Sequence, residues 1–231
     1  MRILMRKTTE SDLEESRGAL ITLNAPTSLV TDRYRMLFTK IDSLCRKEGK
    51  KAVALTSSIK GEGKTTTTAN LAVVAARDFG KRSLIIDGDF KSPTISKRFA
   101  MVDGPGLAEV IAKKCQLASA LKQGPIENLM LLTMGHCLES ENSIWATKGI
   151  KAIISEVREW FDYVWIDAPP ILPVFDMSLI SESVDGILVV VRAGETPEPL
   201  LAKAIKSLGT SKVIGTVLNR TKMARYDQYG Y

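Results

Sequence analysis

The stretch from Val53 to Phe79 constrains this chain more than any other. Val53-Ala54-Leu55-Thr56 is a short apolar and β-branched run, the composition of a strand buried on both faces. It passes into Ser57-Ser58-Ile59-Lys60-Gly61-Glu62-Gly63-Lys64-Thr65-Thr66, and a helical stretch over 65–79 follows at once. Strand, glycine-containing loop and helix in this order turn backbone N–H groups inward around phosphate oxygens. Glycine tolerates the conformations required, and the helix start adds its positive end. Lys64 can then reach β- and γ-phosphates, and the Thr65 hydroxyl can ligate Mg2+. The usual pattern has glycine five positions before Gly63; Ser58 stands there, so the loop is a variant.

The rest of the chain repeats the alternation. Short apolar runs at 83–86, 129–132, 163–166, 186–191 and 213–218 predict further strands. Helical stretches are expected at 106–112, 150–161, 177–183 and 197–208. Strands alternating with helices imply a mostly parallel sheet with right-handed crossovers and helices on both faces. Before the first strand, Val30, Tyr34, Leu37, Ile41 and Leu44 recur in steps of three and four, one stripe of a helix over 30–45. Residues 1–29 read as a flexible arm, 30–222 as the domain and 223–231 as a tail.

Two acidic segments leave the ends of predicted strands. Ser83-Leu84-Ile85-Ile86 runs into Asp87-Gly88-Asp89-Phe90-Lys91-Ser92-Pro93, and Tyr163-Val164-Trp165-Ile166 into Asp167-Ala168-Pro169-Pro170. In an open α/β sheet the carboxyl edge is where ligands bind. Carboxylates there can hold Mg2+ or its waters and can take a proton from an attacking hydroxyl. An aspartate at a strand end also caps turns. Two of them behind apolar strands, downstream of a phosphate loop, favour metal–nucleotide chemistry.

Composition narrows the alternatives. The chain has 231 residues, 45% hydrophobic and 25% charged, which suits a soluble globular domain. One histidine, His136, makes histidine dyads and histidine-rich metal sites improbable. Cys45, Cys115 and Cys137 lie far apart, which excludes a disulfide framework. No apolar run reaches the ~18–20 residues of a membrane span, and the charged start does not read as a secretory leader. A cytoplasmic location is the simplest expectation. The net charge of +6 suits polyanions, but the basic residues form no block, so no nucleic-acid partner is expected. Three of five tyrosines, Tyr226, Tyr229 and Tyr231, fall in the last six residues, where packing three rings into a core is difficult.

The GEGKTT loop, the LIIDGDFKSP segment and the VWIDAPP segment resemble the nucleotide motifs of bacterial tyrosine kinases. These are exopolysaccharide and capsule autokinases on a MinD/ParA-like P-loop ATPase fold. The resemblance runs from about residue 27 to the end. It implies a three-layer α-β-α P-loop NTPase fold with a mostly parallel central sheet. It implies ATP and Mg2+, with Ser58, Lys60, Gly61, Glu62, Gly63, Lys64, Thr65, Thr66, Arg192 and Asn219 at the nucleotide and Thr65, Asp87 and Asp167 at the metal. Lys64, Asp87, Asp89 and Asp167 would be catalytic, with Asp87 or Asp89 accepting the tyrosine proton. Tyr226, Tyr229 and Tyr231 would be the phosphoacceptors.

The chain departs from the family in places. Lys60 stands where many members have proline, Lys91 replaces an arginine, and Ala168 replaces a serine or threonine. The family's oligomer motif, Glu-x-x-Arg-x-x-Arg, survives as Asp32, Arg35 and Phe38. Phe38 can face a neighbouring subunit or turn inward beside Leu37 and Ile41, and a weaker or differently shaped homo-oligomer than the family's ring is expected. The family's separate-chain members imply a membrane polysaccharide co-polymerase partner that recruits the kinase to the inner face of the plasma membrane. The alternative is a MinD/ParA-type ATPase switch. That group carries a signature lysine at the position of Ile59, and its membrane-binding members end in an amphipathic helix, unlike 222–231.

Overall fold

The computed structural model describes residues 20–101, 104–136, 143–172 and 176–221. One seven-stranded sheet organises them, in the order β3-β4-β2-β5-β1-β6-β7. The strands are β1 (Ala52–Ser57), β2 (Ser83–Asp87), β3 (Lys122–Gln123), β4 (Leu129–Leu132), β5 (Tyr163–Asp167), β6 (Gly186–Arg192) and β7 (Val213–Asn219). All pair in parallel except the short β3, which runs antiparallel to β4. The parallel register sets Asp87 of β2 directly beside Asp167 of β5, and Leu55 of β1 beside Asp167 on the other side. Every residue of β1, β2 and β5 is buried, as their unbroken apolar runs predict.

Helices cover both faces. On one lie α1 (Ile21–Asn24), α2 (Leu29–Lys47), α3 (Lys64–Phe79) and α4 (Ile95–Arg98). Their core joins Phe38, Ile41 and Cys45 to Leu71, Val74 and Ile95 over Val53, Leu55 and Trp165. On the other lie α5 (Leu107–Ile111), α6 (Leu117–Ala120), α7 (Ser143–Val157), α8 (Asp176–Ser183) and α9 (Glu198–Leu208), packing Leu107, Ile150, Ile154 and Met177 against Ala54, Ile86 and Ile166. This is the three-layer arrangement expected.

Three local expectations are corrected. Residues 20–29 are not a loose arm: Leu20 is buried, and the Thr22 N–H and hydroxyl both donate to Asn70 Oδ1 of α3, at 3.0 and 2.8 Å. In α2 the buried face is Thr31, Phe38, Ile41, Asp42 and Cys45, while Val30 and Leu44 are 39% and 45% exposed. Aromatic packing rotates the helix. Phe38 is fully buried with ring centroids 4.6 Å from Phe79 and 5.5 Å from Tyr163, and the Tyr163 hydroxyl donates to Asp42 Oδ1 at 2.8 Å. Polar Thr31 and Asp42, which the apolar stripe passed over, are therefore core positions with partners. The helix expected at 150–161 begins at Ser143 and ends at Val157. It runs through Gly149 because only a residue without Cβ lets it lie so close to Ile111, whose carbons would sit 2.7 Å from one.

Candidate active site

The site grows from the end of β1. Ser57 and Ser58 carbonyls accept from the N–H groups of Ile171 and Leu172, at 2.8 and 3.0 Å, tying the start of the loop to the segment after β5. Gly61 and Gly63 then take φ of +97° and +98°. A side chain at Gly63 would also collide with the Asn219 amide, so this position requires glycine twice over. Asn219, at the end of β7, donates from Nδ2 to the Glu62 carbonyl at 2.9 Å. The Glu62 carboxylate accepts from Ile59 N at 2.9 Å and from the Thr196 hydroxyl. The loop is thus held from β5, β6 and β7 before α3 begins.

Lys64 opens α3 and is almost buried. Its Nζ lies 2.8 Å from Asp89 Oδ2 and 3.5 Å from Asp167 Oδ1. The Thr65 hydroxyl donates to Asp167 Oδ2 at 2.6 Å and accepts from the Thr94 hydroxyl at 3.3 Å. Asp87 is fully buried; its Oδ2 accepts from Thr94 N and Ile95 N at 3.0 and 2.9 Å, while Oδ1 has no partner. One lysine among three close carboxylates leaves an excess of buried negative charge. Burial and the neighbouring Asp167 push the Asp87 carboxyl up to about 7. Burial likewise raises Asp167, although Lys64 and Thr65 oppose it. Burial acts to lower the Lys64 ammonium, but Asp167, Asp89 and Asp87 outweigh it and hold it above its ordinary value.

A cavity of about 680 Å3 opens in front of the loop, lined by Lys60, Gly61, Gly63, Lys64, Thr65 and Thr66 on one side and by Asp89, Ser92, Thr94 and Arg98 on the other. Lys60 Nζ reaches Ser92 Oγ across it at 3.3 Å. The structure therefore brings together Lys60, Gly61, Gly63, Lys64, Thr65, Thr66, Asp87, Asp89 and Asp167. Ser58 is buried below, its Oγ without a partner. Glu62 points away from the cavity and braces the loop. Arg192 lies outside that lining and pairs with Glu195 at 2.6 Å.

Thr94 and Thr196 hold the site together and were not singled out from sequence; Thr94 stands one residue past the LIIDGDFKSP segment. Tyr226, Tyr229 and Tyr231 lie outside the described residues. Phe38, offered as an interface residue, is an internal one, because its ring completes the aromatic cluster under α2. Arg35 is engaged within the chain, by Asp32 at 2.6 Å, Asp78 at 2.8 Å and the Pro26 carbonyl at 2.9 Å.

A phosphate loop at the carboxyl edge of a parallel sheet, with two strand-end acids beside its lysine and threonine, defines a P-loop nucleotide-binding protein. Residues 50–208 match the family described as an AAA domain. The chain is 34% identical over 226 residues to the tyrosine-protein kinase YwqD of Bacillus subtilis (strain 168), covering 95% of each. It is 30% identical over 218 residues to the succinoglycan biosynthesis transport protein ExoP of Rhizobium meliloti (strain 1021), covering 92% of this chain but 28% of that protein. The crystal structure of the chimerical protein CapA2B2 superposes with a TM-score of 0.82 at 26% identity, covering 93% of this chain and all 100% of the other. The chain belongs to the AAA-domain family and, within it, to the bacterial tyrosine-protein kinases. Among the described residues no helix is long and apolar enough to cross a membrane.

Proposed function

We propose that this protein is an ATP-dependent tyrosine autokinase that moves the γ-phosphoryl group of ATP onto Tyr226, Tyr229 and Tyr231, between chains, to regulate exopolysaccharide or capsule synthesis. The observation that carries the reading is the cluster of Lys64, Thr65, Asp89 and Asp167 around the unpartnered Asp87 Oδ1. Its donors fit Mg2+: hard oxygens, excess negative charge and one orphaned carboxylate oxygen. Thr65, Asp87 and Asp167 would hold it. When bound, the ion would neutralise charge developing on the phosphoryl group.

The chain's own residues do the rest. Backbone N–H groups of the loop orient the phosphates. Lys64 exchanges Asp89 for β- and γ-phosphate oxygens, which frees the Asp89 carboxylate. The phenol oxygen attacks the γ-phosphorus, the bond to the β-bridging oxygen breaks, and ADP leaves. Asp89 takes the phenolic proton in preference to Asp87, because Asp89 lines the cavity whereas Asp87 is sealed beneath α4. Arg192 and Asn219 would serve the nucleotide from the ends of β6 and β7. The chain matches part of a polysaccharide transport protein, which supports a membrane co-polymerase partner that recruits the kinase to the membrane.

The test mixes two variants. A Lys64→Met chain incubated with Mg·ATP should incorporate no phosphate. Adding a chain with all three tail tyrosines changed to Phe should place phosphate on the Lys64→Met tail, read by site mapping. Phosphate on Ser, Thr, Tyr34 or Tyr163 instead would overturn the acceptor assignment.

A further inference from the structure

Arg98 is a cation on the phosphate cavity that the mechanism above leaves unused. It ends α4, and α4 is fastened to the acidic end of the site through Thr94 N and Ile95 N, which both donate to Asp87 Oδ2. It lines the same cavity as Lys60, Lys64, Thr65 and Asp89. The side chain is half-buried, and its Nε is fully enclosed without a hydrogen-bond partner. Among the described residues no carboxylate forms an ion pair with it. Burial pulls the guanidinium below its ordinary basicity, and the charge of Asp167 pushes back. It remains a cation at neutral pH, and Asp167 is near enough to act on it.

Of the other cations that line the cavity, Lys64 has Asp89 and Asp167, Lys60 has Ser92, and Lys97 and Arg220 are exposed to water. A guanidinium partly drawn out of water with a donor unsatisfied gains from an acceptor that enters the cavity it lines. The loop on the opposite wall is built for phosphate. A phosphoryl oxygen meets the planar fork of an arginine with short charge-assisted bonds. Thr94, just before α4, donates its hydroxyl to that of Thr65, the residue beside the terminal phosphate in such loops, so α4 and Arg98 line that end of the cavity.

We propose that Arg98 is a further catalytic residue, contacting the γ-phosphoryl oxygens of ATP and stabilising the charge they carry as the group passes to the acceptor. It neither gives nor takes a proton. The assignment rests on the phosphotransfer reading above, and it places in the same chain the charge-neutralising arginine that other phosphoryl-transfer proteins receive from a partner.

Arg98→Met keeps the stem and removes the charge; Arg98→Lys keeps the charge and loses the fork. Affinities for Mg·ATP and Mg·ADP, by calorimetry, come first because they need no acceptor tyrosine. Arg98→Met should weaken ATP about tenfold and leave ADP within about twofold, since one charge-assisted bond to the γ-phosphoryl group is lost. Its transfer rate should fall by about 100-fold or more, with Arg98→Lys between it and the parent chain. An unchanged ratio of ATP to ADP affinity would overturn the proposal, and so would an equal loss for both nucleotides. Absence of tyrosine transfer by the unmodified chain would overturn the kinase reading alone, because the affinity ratio still decides whether Arg98 meets the γ-phosphoryl group.

Discussion

Strand β5 is bounded by two aspartates, and they live in different worlds. Asp162, at its amino end, accepts from the Arg82 N–H at 2.9 Å and pairs with the Arg82 side chain at 3.1 Å. Asp185, just before β6, does the same work two strands over, accepting from Lys51 N and Ala52 N at 3.0 and 2.9 Å and pairing with Arg158 at 3.0 Å. These acids close off the start of the sheet. Asp167 ends β5 fully buried beside Asp87, whose outer oxygen has nothing to accept from. The small burial of Asp162 acts upward, but the Arg82 contacts outweigh it and hold its carboxyl below the usual range; Asp87 and Asp167 go up. The difference teaches how to recognise a working acid on this sheet. The structural aspartates are each matched by backbone N–H groups and an arginine, whereas the acids at the carboxyl edge crowd around one lysine and leave Asp87 Oδ1 without a partner.

The sharpest way to break the comparison is Asp167→Asn. It should lower phosphotransfer by about 100- to 1,000-fold, the scale of losing one organising group in a closed site. The nucleotide-free fold should survive, because removing the charge also removes its burial cost. A chain with near-normal turnover after this change would place Asp167 with the structural acids.

Acidity gives a second, smaller effect with a definite sign. The folded protein keeps a proton on Asp87 that the unfolded chain has already released, so nucleotide-free stability should fall as pH rises from about 4 to about 7, then level off. The loss is of order a few kcal/mol, each pKa unit being worth about 1.4. Asp87→Asn should flatten that slope in thermal melts. A slope that survives the substitution would mean another group carries it.

Asp185→Ala should invert the pattern of Asp167. It strips partners from two backbone N–H groups and from Arg158, costing about 2–3 kcal/mol in denaturant unfolding. The transfer rate per folded molecule should stay within about twofold. A selective loss of rate at unchanged stability would erase the distinction between the two ends of the sheet.

Much of this architecture is legible in the sequence. The phosphate loop and its two strand-end acids are local signals, each carried by a few adjacent residues, and all six expected strands formed; in β1, β2 and β5 double-sided burial leaves an unbroken apolar run, while β7 forms with its residues only partly buried. What escaped depends on residues far apart in the chain. The rotation of α2 follows from Tyr163, which bonds Asp42 across 121 residues. The docking of Leu20 and Thr22 requires Asn70. Arg98 carries no signal at all in sequence, since a basic residue near the end of a short helix is ordinary until a cavity is found in front of it. Short elements such as α1, α4, α6 and β3 are too brief for any periodicity to show.

The bracing of Glu62 carries a consequence for how such chains can be recombined. Its carboxylate is held by Thr196 and its carbonyl by Asn219, contacts that span 134 and 157 residues. Gly63 is small because Asn219 occupies the space a side chain would need. Loop, Thr196 and Asn219 are therefore one inherited unit, although most of the chain lies between them. A hybrid that joins the first half of one relative to the last strands of another keeps its phosphate loop in shape only when those positions travel together. Crossovers between β1 and β6 that separate mismatched versions should yield folded sheets with slack loops.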